Sequence, residues 1–206
     1  MKFEEVYARL QERTPTILGS EAFSRYSVLI PLLEINNDMH ILFEVRSQNL
    51  RRQPGEICFP GGKFDEHDTT EKQTAIRETS EELGIDEDTI TNVLPLDYMV
   101  SPFGMIVYPF IGVLSNPEQI QPSPSEVSEI FTVPLSYLNA ATPEVYKVNV
   151  NLQPEKNFPF DRIIGGEDYQ WQARKMNEYF YSYQNKVIWG LTARILKHLL
   201  DVLKKE

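Results

Sequence analysis

Much of what the 206-residue sequence says comes from what it lacks. It has a single cysteine, Cys58, so no internal disulfide can form. Cys58 sits in the apolar run Ile57-Cys58-Phe59, which reads as a buried structural thiol rather than a nucleophile. The histidines His40, His67 and His198 are scattered and show no zinc spacing. No apolar run approaches the ~18 residues of a membrane span. The N-terminal stretch MKFEEVYARLQERTP carries acids where a signal peptide is basic and has no unbroken apolar core. Positive charge is in deficit: 20 Lys and Arg stand against 30 Asp and Glu, a formal net charge of −10. That balance argues against nucleic acid bound over the whole surface, yet allows a small anion in a locally basic pocket. The expectation is a cytoplasmic enzyme with no membrane or nucleic-acid partner.

What is present is ordinary for a globular chain, with 41% hydrophobic and 24% charged residues and no internal repeat. The length suits one well-cored domain over residues 1–206. YSVLIPLL (26–33) and MHILFEV (39–45), split by the turn signal INND, predict a hairpin. Further strands are expected at 57–59, 93–100, 105–114, 129–135, 144–151 and 179–183. Phe3, Val6, Tyr7 and Leu10 predict an amphipathic surface helix over about 1–14. Thr70 and Gln73 have capping-box spacing and Gly84 is placed to stop a helix over 70–83. Ile188, Leu191, Ile195, Leu199 and Val202 predict an apolar stripe on a C-terminal helix over about 186–204. Residues 152–178, with Pro154, Pro159, Gly165 and Gly166, read as a long loop able to cover a site. Strands in the middle and helices around them imply an α/β or α+β domain with helices covering a sheet.

The helix at 70–83 contradicts its own local electrostatics. At 3.6 residues per turn, Glu81 lies about 60° from Glu78, and Glu82 about 40° away on the other side. Each like-charged pair costs roughly 0.2–0.5 kcal/mol, and anions in a last turn oppose the helix dipole by roughly 0.3–1 kcal/mol each. Arg77 can relieve Glu81 at i+4 but cannot neutralise all three. One reading is a solvated acidic face. The other is a cation site, because Mg²⁺ takes one or two carboxylates together with substrate phosphate and water. Upstream, Pro60-Gly61-Gly62 is either a plain turn or a place where backbone closely approaches a ligand. Arg46, Arg51, Arg52 and Lys63 face only Glu56 in the intervening sequence, a local reversal of sign. Acidic helix, glycine turn and basic loop together suggest an anionic substrate that contains phosphate.

These residues also carry a resemblance. Gly62 followed by Arg77-Glu78-Thr79-Ser80-Glu81-Glu82-Leu83-Gly84-Ile85 resembles the Nudix box. The glycine-to-arginine spacing is one residue longer than usual, and Asp68 stands where a glutamate is expected. That longer spacing with Asp is similar to the coenzyme A diphosphatase branch of the Nudix hydrolases. So is the run Arg46-Ser47, Arg51, Gly55 and Phe59-Pro60-Gly61-Gly62, each group three residues from the next. Two neighbours depart from it, Glu44 in place of a usual Thr and Gln53 in place of a common His. SPFGMIVYPFIGVL, SEVSEIFTVPL and IWGLTARIL look like the same branch, so the resemblance spans roughly residues 25–200.

The resemblance implies an α/β/α sandwich with a mixed central sheet. It implies hydrolysis of a nucleoside diphosphate derivative, coenzyme A first, with Mg²⁺ or Mn²⁺ as cofactor. Glu78, Glu82 and Glu81 would hold metal, with the Gly62 carbonyl as a backbone ligand and Arg77 orienting the carboxylates. The general base would be Glu81 or Glu82, with Glu126 of the PSPSEVSEIF loop as the runner-up. Arg46, Arg51 and Lys63 would grip phosphates, and the Gly61 backbone would approach the substrate. The alternatives are a Nudix diphosphatase for ADP-ribose or a dinucleotide, and a Nudix-like ligand-binding regulator without turnover.

Overall fold

Two asparagines set the first register. Asn36 and Asn37 adopt φ of 52° and 62°, the left-handed pair that a two-residue hairpin turn requires. They join β1 (Ser24–Ile35) to β2 (Asp38–Arg46), paired antiparallel from Leu32 opposite Ile41 to Ile35 opposite Asp38. The computed structural model describes residues 1–171 and 174–205. Before β1 lies α1 (Phe3–Leu10), shorter than the expected 1–14 and exposed at every residue. After β2 come β3 (Ile57–Cys58), β4 (Gly61–Lys63) and α2 (Glu71–Leu83). β5 (Ile90–Pro95), β6 (Met99–Ser101), β7 (Met105–Leu114) and β8 (Val127–Pro134) complete an eight-stranded sheet in the order β3-β2-β1-β7-β5. Off that path, β4 pairs with β1, β6 with β7 and β8 with β2. The sheet is mixed, because β1 and β7 run parallel from Ser24 beside Met105 to Leu32 beside Val113.

The remaining elements are α3 (Leu135–Ala140), β9 (Glu144–Val150), β10 (Arg174–Tyr183), β11 (Lys186–Ile188) and α4 (Gly190–Leu203). The last three strands form a small sheet, β11-β10-β9. Alternation along β1 and β2 explains the layers. Leu29, Leu33 and Leu42 pack with Ala75 and Leu83 of α2, while Ile30, Ile41 and Phe43 pack with Ala193, Leu196 and Leu199 of α4. Each fully buried Leu, Ile or Phe contributes roughly 1.5–3 kcal/mol. Both faces are apolar, so β1 reads as a near-continuous hydrophobic run. This is the expected α/β/α arrangement. No described helix is long and apolar enough to cross a membrane.

Three further expectations about element bounds change. The strand expected at 93–100 is two strands, β5 and β6. The C-terminal helix starts at Gly190, not 186, because Lys186–Ile188 pairs with Tyr181–Tyr183 as β11. Its buried face therefore shifts to Thr192, Ala193, Ile195, Leu196, Leu199 and Leu200, leaving Leu191 and Val202 partly exposed. The loop expected over 152–178 ends by Arg174, where β10 begins, and contains short turns at Phe160–Arg162 and Gly166–Asp168. Residues 172–173 of that stretch lie outside the described residues.

Candidate active site

β4 lies against the first half of β1, with Ser27 beside Gly62 and Val28 beside Gly61. α2 crosses directly over β4, and the two glycines exist because of that crossing. A Cβ on Gly62 would overlap the Glu78 carboxylate, and one on Gly61 would overlap the Ser27 carbonyl. Without side chains there, helix carboxylates rest on strand backbone. The Gly61 N–H donates to Glu82 Oε2 at 2.7 Å. α2 begins at Thr70, whose Oγ1 accepts from the Gln73 N–H at 3.1 Å. The reciprocal half of the capping box falls one residue early, since Gln73 Oε1 accepts from Thr69 N–H and Oγ1–H. Gly84 closes the helix at φ 62°, and a Cβ there would overlap the Gln121 carbonyl. The loop after β7 finishes the end, with Gln121 and Ser123 N–H groups donating to the Leu83 and Glu82 carbonyls, both at 2.9 Å.

The three glutamates of α2 do not share one environment. Glu82 is 6% exposed, Glu78 is half-buried and Glu81 is open to solvent. Arg77 fans over the outer part of the helix. It contacts Asp68 through Nε and Nη2, both at 3.0 Å, Glu78 through Nη2 at 2.8 Å, and Glu81 through Nη1 at 3.2 Å. Asp68 also accepts from Thr74 Oγ1 and the Asp65 N–H, both at 2.9 Å. The Arg77 hydrogen bonds hold its carboxyl well below the usual carboxylate range. Asp68 therefore anchors Arg77, and through it α2, to the preceding loop.

A fourth carboxylate lies beneath the site. Glu44 of β2 is 1% exposed; its Oε1 accepts from Cys58 Sγ at 3.1 Å and its Oε2 has no hydrogen-bond partner. Burial pushes Glu44 up to about 7, against the opposing Cys58 hydrogen bond and Arg46 charge. Burial pushes Glu82 up to about 9, with the Glu44 charge adding to it and the Gly61 N–H opposing it. Glu78 is raised by burial as well, although the Arg77 contact opposes it. Burial first, then the Glu44 charge, pushes the Cys58 thiol far up, which keeps it protonated and inert. The charge of Glu126 is the smallest of the causes that raise Glu44, Glu78 and Glu82, so its exposed carboxylate bears only weakly on each.

These groups border a cleft of about 490 Å³. Of the residues expected in the site, Arg46, Gly61, Gly62, Glu78 and Glu82 line it. Glu81 does not and instead rests against Arg77; Glu126 stands outside the lining. Arg51 and Lys63 are exposed and also stand outside it, while Arg52, the neighbour of Arg51, lines the cleft. Arg46 and Arg52 make no ion pair among the described residues. Glu44, Arg52 and Trp189 are not among the site residues expected from the sequence. Glu44 showed only as a departure from the upstream motif, and Arg52 was hidden by its twin. Trp189 and Leu191 reach the cleft from the start of α4, about 130 residues after β4, a juxtaposition no local pattern announces.

Among the described residues, no three His, Cys, Asp or Glu side chains converge into a finished metal cage. The arrangement fits a Mg²⁺-type ion nonetheless. Glu78 and Glu82 meet over a glycine cradle, substrate phosphate can complete the oxygen set, and the buried Glu82 makes no ion pair among the described residues. A bound cation would offset the charges of Glu44 and Glu78 that bear on Glu82.

Comparison with known proteins follows the same lines. The NUDIX domain family matches residues 24–150. A mouse protein, peroxisomal coenzyme A diphosphatase NUDT7, is 40% identical over 135 residues, 66% of this chain and 56% of that protein's length. Caenorhabditis elegans peroxisomal coenzyme A diphosphatase ndx-8 is 42% identical over 100 residues, 48% of this chain and 43% of the worm protein. Caenorhabditis elegans Nudix hydrolase 3 is 30% identical over 195 residues, 92% of this chain and 78% of that protein. Among solved structures, a MutT/nudix family protein from Enterococcus faecalis superimposes with a TM-score of 0.53 at 14% identity. That match covers 100% of this chain and 71% of the other, a likeness of fold alone. With the glycine cradle, the glutamate helix and the match over residues 24–150 in agreement, the chain belongs to the Nudix hydrolase family.

Proposed function

We propose that this chain is a divalent-metal-dependent diphosphatase that hydrolyses coenzyme A to 4′-phosphopantetheine and adenosine 3′,5′-bisphosphate. The observation that carries this reading is one cleft holding both charges a diphosphate needs. Glu78 and Glu82 lie over Gly61–Gly62 at one side, and Arg46 and Arg52 line the same space. The similarity to two coenzyme A diphosphatases supports the choice of substrate.

Glu78 and Glu82 would hold Mg²⁺ or Mn²⁺, and the Gly62 backbone lies beside them. The ion supplies charge neutralisation of the diphosphate and acidification of water when bound. Arg46 and Arg52 bind phosphate oxygens and orient the bridge. Arg77, fixed by Asp68, positions Glu78. Water oxygen bonds to one phosphorus as that phosphorus's bond to the bridging oxygen breaks, and each product keeps one of the two phosphates of the bridge, the 3′-phosphate staying on the adenosine. The proton from water passes to a carboxylate at the rim. Glu126 suits this role better than Glu81, because it is exposed and makes no ion pair among the described residues, whereas Glu81 is tied to Arg77.

ADP-ribose or a dinucleotide is a second reading, favoured by one observation: with Arg51 and Lys63 outside the cleft, fewer cations remain for a 3′-phosphate. The test is product identification after incubating coenzyme A, dephospho-coenzyme A, ADP-ribose and diadenosine compounds with Mg²⁺ or Mn²⁺. Chelator should stop turnover and metal should restore it. Full turnover after chelation, with metal analysis confirming removal, refutes the metal role. Binding of these compounds with no cleavage of any would make the chain a ligand-binding module.

A further inference from the structure

We propose that Trp189 is the platform on which the substrate's nucleobase stacks, so that the apolar part of the cleft is an adenine subsite. The inference rests on the reading of the chain as a hydrolase of adenine-containing diphosphates. Trp189 occupies the joint between β11 and α4 and lines the cleft, with 45% of its surface exposed. Its indole is held in place by Phe180 of β10, the ring centroids 5.9 Å apart and the planes within 10° of parallel. The ring is thus fixed in orientation while nearly half its surface stays open. Met105, Val107 and Leu191 extend the apolar wall, and Arg46 and Arg52 lie on the same cleft.

A planar base matches this surface. Its π face stacks on an aromatic ring, and the ring needs no reordering because Phe180 already sets its plane. The pantetheine arm matches it poorly. Its amide groups would lose water against Met105, Val107 and Leu191 without gaining polar partners. The base therefore takes the aromatic wall, the phosphates take the arginines and the carboxylate-bound ion, and the arm is left toward solvent. Adenine is common to coenzyme A, ADP-ribose and adenine dinucleotides, so the assignment holds for each.

The sequence has two tryptophans, which makes the idea measurable without turnover. In Trp171→Phe, Trp189 is the sole tryptophan. Adding adenosine 3′,5′-bisphosphate or ADP should quench its emission, saturating at the Kd that calorimetry gives for the same sample. Adding 4′-phosphopantetheine should leave emission unchanged. Trp189→Leu, which keeps apolar bulk but removes the ring, should weaken adenosine 3′,5′-bisphosphate binding about 5- to 150-fold, and Trp189→Phe should recover most of it. Calorimetric binding of the nucleotide with unchanged emission overturns the assignment. So does nucleotide binding by Trp189→Leu as tight as the parent's, or quenching by 4′-phosphopantetheine. Failure of the parent to cleave any adenine diphosphate would sink the functional reading, while the emission readout decides the stacking separately.

Discussion

Replacing Glu82 with glutamine should stabilise the metal-free protein and disable the enzyme, two effects that a surface glutamate could not combine. Glu82 is 6% exposed, and its carboxyl is pushed from 4.5 up to about 9, by burial first and by the charge of Glu44 second. A carboxyl whose folded pKa is raised binds its proton more tightly in the fold. Its contribution is therefore fully present below 4.5 and is lost as pH rises toward 9. Each unit in that window removes about 1.4 kcal/mol, so by about pH 7.5 the cost approaches roughly 4 kcal/mol. Glutamine has the same shape and cannot titrate, though it is a weaker acceptor for the Gly61 N–H. Glu82→Gln should then gain roughly 2–4 kcal/mol in chelator at about pH 7.5. For a chain of this length that raises Tm by roughly 5–15 °C. The gap between the two proteins should close as pH falls toward 4.5. Metal at about 100 times its Kd should stabilise the parent by about 2.7 kcal/mol and the variant by much less, narrowing or inverting the order. Turnover should drop at least ~100-fold, since stabilisation of the transition-state charge is lost. Calorimetric melts with and without metal at both pH values read all of this. Equal metal-free melts across the range, or equal stabilisation by metal, would refute the reasoning.

The glycine cradle predicts that Gly62→Ala, whose Cβ would press on the Glu78 carboxylate, weakens Mn²⁺ binding by at least about tenfold while the fold persists; titration by calorimetry reads it, and unchanged affinity counts against Glu78 as a ligand. The lining of the cleft predicts that Arg52→Ala lowers kcat/KM for coenzyme A by about 10- to 150-fold, the effect of one charge-assisted contact, and Arg51→Ala by only a few-fold. Equal losses would return the phosphate contact to Arg51. Asp68→Asn should cost roughly 2–4 kcal/mol in urea unfolding at neutral pH, because it removes the buried charge and one of the two oxygens that accept from Arg77 at 3.0 Å. The Asp68 carboxyl is held below the usual range, so that advantage is present above the ordinary carboxylate pKa and is lost only as pH falls through the depressed value. A loss under about 0.5 kcal/mol would make the Arg77 contact an ordinary surface pair.

Where neighbours in the chain are also neighbours in space, several features were legible in the sequence alone. The Asn36–Asn37 hairpin, the β7 strand at 105–114, the Thr70 cap and the Gly84 stop follow from backbone geometry that few residues satisfy. The clustering of Glu78, Glu81 and Glu82 is likewise a consequence of helical period, and their breach of local electrostatics was visible as a breach. Period cannot say which side of a helix meets a strand. Only the crossing of α2 over β4 separates Glu82, buried on the Gly61 N–H, from Glu81, left in solvent on Arg77. The same holds for charge: the chain shows four basic residues from Arg46 to Lys63, and only the fold places Arg46, at the end of β2, and Arg52, in the loop after it, on one cleft. Glu44 and Trp189 come from β2 and the start of α4, far from the glutamate helix in sequence. Burial beside Glu82 makes the first an electrostatic partner, and packing on Phe180 makes the second a wall. Burial and long-range packing set those properties, and neither is a property of any short stretch of sequence.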